Sequence, residues 1–426
     1  MILTHLLARE LLDSRGRPTL EAELHTTRGA VGRAAVPSGA STGRHEALER
    51  RDGDPNRYGG RGVRQAVACL RETVAPVLLG RDWTDQAQLD AFLCQLDGTP
   101  NKSQLGGNAV LAVSLAFAQA AAAEAGLPLW RHLRTLGAAE ACLPVPMVNM
   151  ISGGLHAGGN LDLQDFLFVP TQARSFSEAL EQVWAVHYAL GQLLRQQGYE
   201  ASLVADEGGY GPRLSSSEQA LDLLVDACRH AGVVPAIALD VAATHFFRQG
   251  RYHLTEQGAR VVESGWMVER LVRWCAAYPI VSIEDGLAED DWDGWKQLSD
   301  QLPQVQLVGD DLFVTNPARL QQGIQAGVAN AVLIKVNQVG TLSETWQVLR
   351  LAQQAGYRAV VSARSGETEE SWLADLAVAS GAGQIKVGAI TRSERLAKYN
   401  QLLRIEEMGL VLGRWQPVTP PPRPIA

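Results

Sequence analysis

The chain has 426 residues, more than one ordinary domain holds and enough for two. Hydrophobic residues make up 46% and charged residues 20%, which excludes a disordered protein. The formal charge is −8 and no basic cluster is present, which argues against nucleic acid or an anionic membrane as partner. The five cysteines (Cys69, Cys94, Cys142, Cys228, Cys275) are scattered without a C-x-x-C spacing, as expected of reduced thiols in a cytoplasmic protein. The opening MILTHLLARE is too short an apolar run for a signal peptide, and no stretch approaches a transmembrane span.

In chain order, LEAELHT, the turn Arg28-Gly29 and AVGRAAV alternate apolar and polar residues and predict a hairpin. PSGASTGRHEALE follows as a Gly/Ser loop entering charged sequence. GVRQAVACLRETVAPVLLG and NAVLAVSLAFAQAAAAEAG carry apolar faces at helical spacing, and the Ala-rich second helix is expected to pack closely against a neighbour. These segments predict a smaller α+β unit over residues 1–135. LPVPMVNMISGGLHAGGNLDLQDF then opens the larger unit, expected over 140–412; its Gly-rich tract lacks the ending of a P-loop. LVADEGGYGP places Asp206 and Glu207 in a glycine turn. The remainder, 413–426, is Pro-rich and aperiodic and predicts an extended tail.

The larger unit is dominated by short Val/Ile/Leu runs that end in a polar residue: AIALD at Asp240, VSIE at Glu284, LVGD at Asp310, LIK at Lys335, AVVS at Ser362, GQIK at Lys386. From Glu284 onward the intervals are 26, 25, 27 and 24 residues, about one βα unit each. Such runs, joined by amphipathic segments, predict buried parallel strands closed into a barrel with its site at the strand C-termini. Any one of these charges could simply mark where a strand leaves the core. Five of them at one rim could not be buried unpaired without large cost. Converging Asp240, Glu284 and Asp310 call for a hard divalent cation, magnesium above others. Lys335 and Lys386 beside them suggest an anionic substrate and a proton transfer.

At these residues the chain resembles the enolase family. SIEDG, VGDDLFVTN, LIKVNQVGTL, SGETE, ADLAV, GQIK and KYNQLLRIEE are near-verbatim family segments, and the resemblance runs from LLDSRGRPTLE to about Gly409. It implies an α/β fold: an eight-stranded β/α barrel of the enolase type, preceded by a smaller α+β capping domain. It implies a lyase interconverting 2-phospho-D-glycerate and phosphoenolpyruvate by proton abstraction alpha to a carboxylate. Lys335 would be the base and Glu207 the acid, with its pKa raised by burial or by Asp165. Substrate contacts would be His156, Asp165, Arg364, Ser365 and Lys386. Two Mg²⁺ ions are implied, one on Asp240, Glu284 and Asp310 and another reached by Ser41 of the lid loop. Partners would be a phosphorylated small molecule and further copies of the chain, as a homodimer or higher oligomer.

The chain departs from the family pattern in places. Ala363 stands where the family has histidine, removing an imidazole from the phosphate side. Asp165 stands for glutamate, withdrawing a carboxylate by about one C–C bond, ~1.5 Å. Ser152 replaces Asn, Gly211 replaces Ala, and THFF at 244–247 replaces S-E-F-Y; His245 could partly replace the lost imidazole. Three readings therefore stand: an ordinary enolase, a paralogue acting on a related phosphorylated or phosphonate hydroxy acid, and a non-catalytic structural or binding protein.

Overall fold

A computed structural model describes residues 1–39, 45–137, 139–256, 258–416 and 418. The chain opens with a three-stranded antiparallel sheet, β1 (Leu3–Leu12), β2 (Pro18–Thr26) and β3 (Val31–Ala35). The predicted hairpin is β2–β3, and Gly29 at its turn takes φ +80°, a conformation that suits glycine. Helix Gly107–Glu124 lies against this sheet. Its alanines let the backbones meet: a Cβ built on Gly32 would fall 2.0 Å from the Ala116 carbonyl oxygen and 2.2 Å from Ala120 N.

Residues from Val145 onward form a closed eight-stranded barrel. Its strands are β4 (Val145–Ser152), β5 (Asp165–Phe168), β6 (Ile237–Asp240), β10 (Ile280–Glu284), β11 (Gln306–Gly309), β12 (Ala331–Ile334), β13 (Arg358–Ser362) and β14 (Gln384–Gly388). Between β6 and β10 the chain makes a small antiparallel sheet, β7 (Phe247–Arg248), β8 (Arg251–Leu254) and β9 (Arg260–Val262). That excursion was not foreseen.

The barrel is not wholly parallel, as the strand spacing had suggested: β5 runs antiparallel to both β4 and β6. The cause is the connection. Gly153–Gln164 between β4 and β5 contains only one short helical turn, and a parallel pair needs a longer crossover. Elsewhere helices supply that crossover, and their starts are set by local chemistry. Ser175, Ser216, Asn316 and Thr341 each cap a helix by accepting a backbone N–H. Lys386 lies inside β14 rather than at its end, because the strand continues to Gly388 with a register shift against β4. No helix among the described residues is long and apolar enough to cross a membrane.

Register explains why the carboxylates meet. Asp240 pairs with Asp165 on one side and Glu284 on the other, so three acids stand abreast on adjacent strands. The amino-terminal unit closes over this end of the barrel: Ser38 and Gly366 exchange backbone hydrogen bonds of 2.8 and 2.9 Å.

The Gly32 contact gives a stability test. Gly32→Ala should cost about 1–3 kcal/mol as an overpacking change, read as a lowered midpoint in thermal or urea unfolding. Activity per folded molecule should be retained. An unchanged midpoint would mean that strand and helix are not so closely packed.

Candidate active site

The barrel mouth is held by two lysine-centred clusters. Lys386 Nζ donates to Asp240 Oδ2 and Glu284 Oε2, both at 2.7 Å. All three side chains are almost fully buried. Lys335, immediately after β12, pairs its ammonium with Asp310 Oδ2. Gln338 Nε2 donates to the other Asp310 oxygen at 3.0 Å, while Gln338 Oε1 accepts a 2.6 Å hydrogen bond from Thr315 Oγ1, which in turn accepts from Lys335 N at 2.9 Å. Asp285, at φ +43°, caps the next turn: its oxygens accept from the amides of Asp310 (3.0 Å) and Asp311 (2.8 Å). Strained backbone of this kind persists where its surroundings over-determine it.

These pairings shift the ionisation of the groups in them. Burial opposes ionisation of Asp240, yet Lys386 more than compensates and its pKa is lowered. Glu284 is pushed well above the carboxylate range by burial and by the adjacent Asp240, which outweigh Lys386. Burial would lower Lys335, but Asp310 overrides it and the ammonium is held above its ordinary value.

A second group forms where β5 meets the Gly-rich turn. His156 Nδ1 lies 2.9 Å from Asp165 Oδ2, and Nε2 lies 3.8 Å from Glu207 Oε1. Asp165 is fully buried, and its other oxygen accepts from Asn149 Nδ2 (2.5 Å) and Ser152 Oγ (3.0 Å). Burial would lower His156, but Asp165 and Glu207 raise it to about 9. Glu207 is positioned by the glycine that follows it: Gly208 takes φ +90°, and a Cβ there would come within 2.5 Å of Thr391 Oγ1.

Two expectations need correction here. Asp165 is not on the cavity wall; both its oxygens are consumed behind His156. Glu207 is not raised: burial acts upward, but His156, Arg395, Lys386 and Lys335 bring the carboxyl below its ordinary value.

The turn after β13 brings Arg364 and Ser365 to the same cavity. Arg364 Nη1 donates to Asn337 Oδ1 at 2.8 Å and lies 3.2 Å from Glu46 Oε2. The fully buried Arg395 anchors the backbone of this turn through the carbonyls of Arg364 and Ser365, both at 2.7 Å. One cavity is lined by His156, Glu207, Asp240, Asp310, Lys335, Ala363, Arg364, Ser365 and Lys386 together with Gln164, Asp285, Asp311 and His245. Glu284 lies beneath it, bound to Lys386. His245 Nε2 is buried without a hydrogen-bond partner among the described residues. Ser41 lies outside the described residues.

Gln338, Asn337, Arg395, Glu46 and Arg15 were not anticipated as parts of this site. LIKVNQ does place Asn337 and Gln338 two and three residues beyond the lysine, which was a usable signal. Arg15 and Glu46 carry none, since only the fold brings them to the barrel.

A barrel whose mouth gathers paired carboxylates and lysines around a cavity, closed by a separate sheet unit, defines an acid–base enzyme of the barrel class. Residues 140–413 match the family model described as "Enolase, C-terminal TIM barrel domain", and residues 3–133 match "Enolase, N-terminal domain". The chain is 55% identical over 405 residues to the enolase of Acidothermus cellulolyticus, covering 94% of this chain and 93% of that one. It is 55% identical over 404 residues to the enolase of Rubrobacter xylanophilus, with coverage of 94% and 93%. The chain belongs to the enolase family.

The His156–Asp165 pair carries a pH signature. A folded-state pKa of about 9, above the ordinary 6.5, means the imidazolium contributes stability fully below pH ~6.5. That contribution is lost as the pH rises through about 9. In Asp165→Asn the chief raising charge is gone while burial remains, so the His156 pKa should fall when followed by NMR titration. A pKa still near 9 in the variant would show that Asp165 does not hold the proton.

Proposed function

We propose that this chain interconverts 2-phospho-D-glycerate and phosphoenolpyruvate plus water, with residues 140–412 as the catalytic unit and 1–135 as its cap. The observation that supports the residue roles is that a lysine, Lys335, and an acid, Glu207, both face one cavity that also presents Arg364, Ser365 and Lys386.

The residues present fit a divalent cation. Asp240, Glu284 and Asp310 are buried oxygen donors with no soft ligand beside them, and a single ammonium already reaches two of them. Asp285 with Asp310 and Asp311 is another acidic group, but the Asp285 oxygens are engaged by two backbone amides. Magnesium held by Asp240, Glu284 and Asp310 would supply positive charge against the substrate carboxylate and take over part of the burden now carried by the lysines.

Lys335 removes the proton at C2. Burial favours its neutral form, and Asp310 is the opposing charge that must be engaged elsewhere for Lys335 to act as base. Glu207 delivers a proton to the departing hydroxyl. The nearby His156, 3.8 Å away, and other positive charges hold its carboxyl below the ordinary range, so it must take up that proton from solvent before the hydroxyl leaves. Asp165 acts through His156, holding it charged and oriented. Arg364 offers a planar fork to the phosphate, Ser365 a hydroxyl, and Lys386 a charge to the carboxylate.

Isotope exchange tests the division of labour. Lys335→Ala should abolish exchange of the substrate C2 proton with deuterated water. Glu207→Gln should retain exchange while blocking loss of the hydroxyl. A reversed pattern would reverse the two roles.

The metal assignment has its own readout. Glu284→Ala should weaken Mg²⁺ binding in calorimetry by at least about tenfold, roughly 1.4 kcal/mol. Unchanged affinity would remove Glu284 from the ligand set.

A further inference from the structure

We propose that Arg15, from the amino-terminal unit, is a positioning residue that sets the direction in which the Ser365 hydroxyl donates. This rests on the reading of Ser365 as a phosphate contact and adds what makes that contact work. Arg15 Nη1 donates to Ser365 Oγ at 3.1 Å. A guanidinium has donors and no acceptor, so Oγ is the acceptor in this bond and its own O–H must point elsewhere. Among the described residues Ser365 Oγ makes no other hydrogen bond, and Ser365 lines the reaction cavity beside Arg364. The hydroxyl proton is thereby aimed at whatever acceptor fills that part of the cavity. An anion such as phosphate, which only accepts, is the ligand class that such a donor selects.

The guanidinium is itself held rigidly. Nη2 donates to the Ser38 carbonyl at 2.9 Å and the Gly39 carbonyl at 3.2 Å, and lies 3.5 Å from Asp13 Oδ2. Asp13 Oδ1 accepts from the amides of Arg15 (2.8 Å) and Arg17 (2.9 Å), and the Arg15 side chain is only 6% exposed. Gly366 makes room for the arrangement: a Cβ there would lie 2.4 Å from Arg15 Nη2, 2.5 Å from Asp13 Oδ2 and 2.7 Å from the Ser38 carbonyl. Arg15 is not on the cavity wall, so it acts through Ser365 rather than on the substrate. The anion subsite is therefore assembled from both units of the chain.

The test uses the full-length, Mg²⁺-loaded protein with Arg15→Met, Arg15→Lys, Ser365→Ala and the Arg15→Met/Ser365→Ala double variant. Inorganic phosphate is the probe, read as a competitive inhibition constant, alongside KM and kcat for 2-phosphoglycerate. Arg15→Met should weaken phosphate inhibition about tenfold and raise KM by a similar factor, with kcat less affected. Arg15→Lys, which keeps a charged donor, should recover part of the loss. The double variant should be no worse than Ser365→Ala alone, because both changes remove one contact. Losses that multiply in the double variant, or phosphate inhibition unmoved by Arg15→Met while Ser365→Ala weakens it, would overturn the role of Arg15. Phosphate inhibition unmoved by Ser365→Ala would instead overturn the reading of Ser365 itself.

Discussion

Burying like charges together is the constraint around which this protein is built. Asp240 and Glu284 stand side by side on neighbouring strands, nearly sealed from water, and the Lys386 ammonium bridges them. Without a cation shared between them, one carboxyl would have to stay neutral or the strands would have to part. Burial and the adjacent Asp240 push Glu284 upward despite the shared ammonium. An oxygen site still short of positive charge is suited to a divalent ion, and the same shortage makes the mouth of the barrel reactive rather than merely polar.

Much of the remaining structure aims these charges. The Asp285 turn presents Asp310 through two backbone hydrogen bonds, and Gln338 holds the opposite oxygen. Arg395 grips the backbone carrying Arg364 and Ser365. Side chains held at both ends lose little freedom when substrate arrives, so positioning is complete before binding. The amino-terminal unit takes part through loop residues Ser14, Arg15 and Ser38, which dock onto the Ser365–Glu367 turn.

Residues singled out in the sequence fall partly into neighbouring sets. Ser152 donates to Asp165 at 3.0 Å, so these two lie together behind His156. Ala363 and His245 share the cavity wall, one presenting a methyl group and the other an unpartnered buried nitrogen. A buried polar atom without a partner is costly, which makes a water or ligand group the natural complement of His245. These sets leave Lys335, Glu207 and the three acids untouched, in keeping with a chain 55% identical to named enolases.

The βα spacing and the abrupt charge at the end of each apolar run already contained the barrel and its ring of acids and lysines. Those signals are local, because a strand that ends in a charge announces both its burial and its exit. Family segments such as LIKVNQ and SGETE extended this to Lys335 and to the turn carrying Ser365. What remained hidden depended on contacts between distant segments. Whether β5 ran parallel or antiparallel followed from a connection too short for a crossover, and Lys386 proved interior to its strand because of its pairing with β4. The Glu207 carboxyl is shifted opposite to expectation, since a pKa reports every charge within reach and these lie on other segments. Arg15 meets Ser365 across 350 residues of chain. No periodicity or motif records such an encounter; packing one unit against the other creates it.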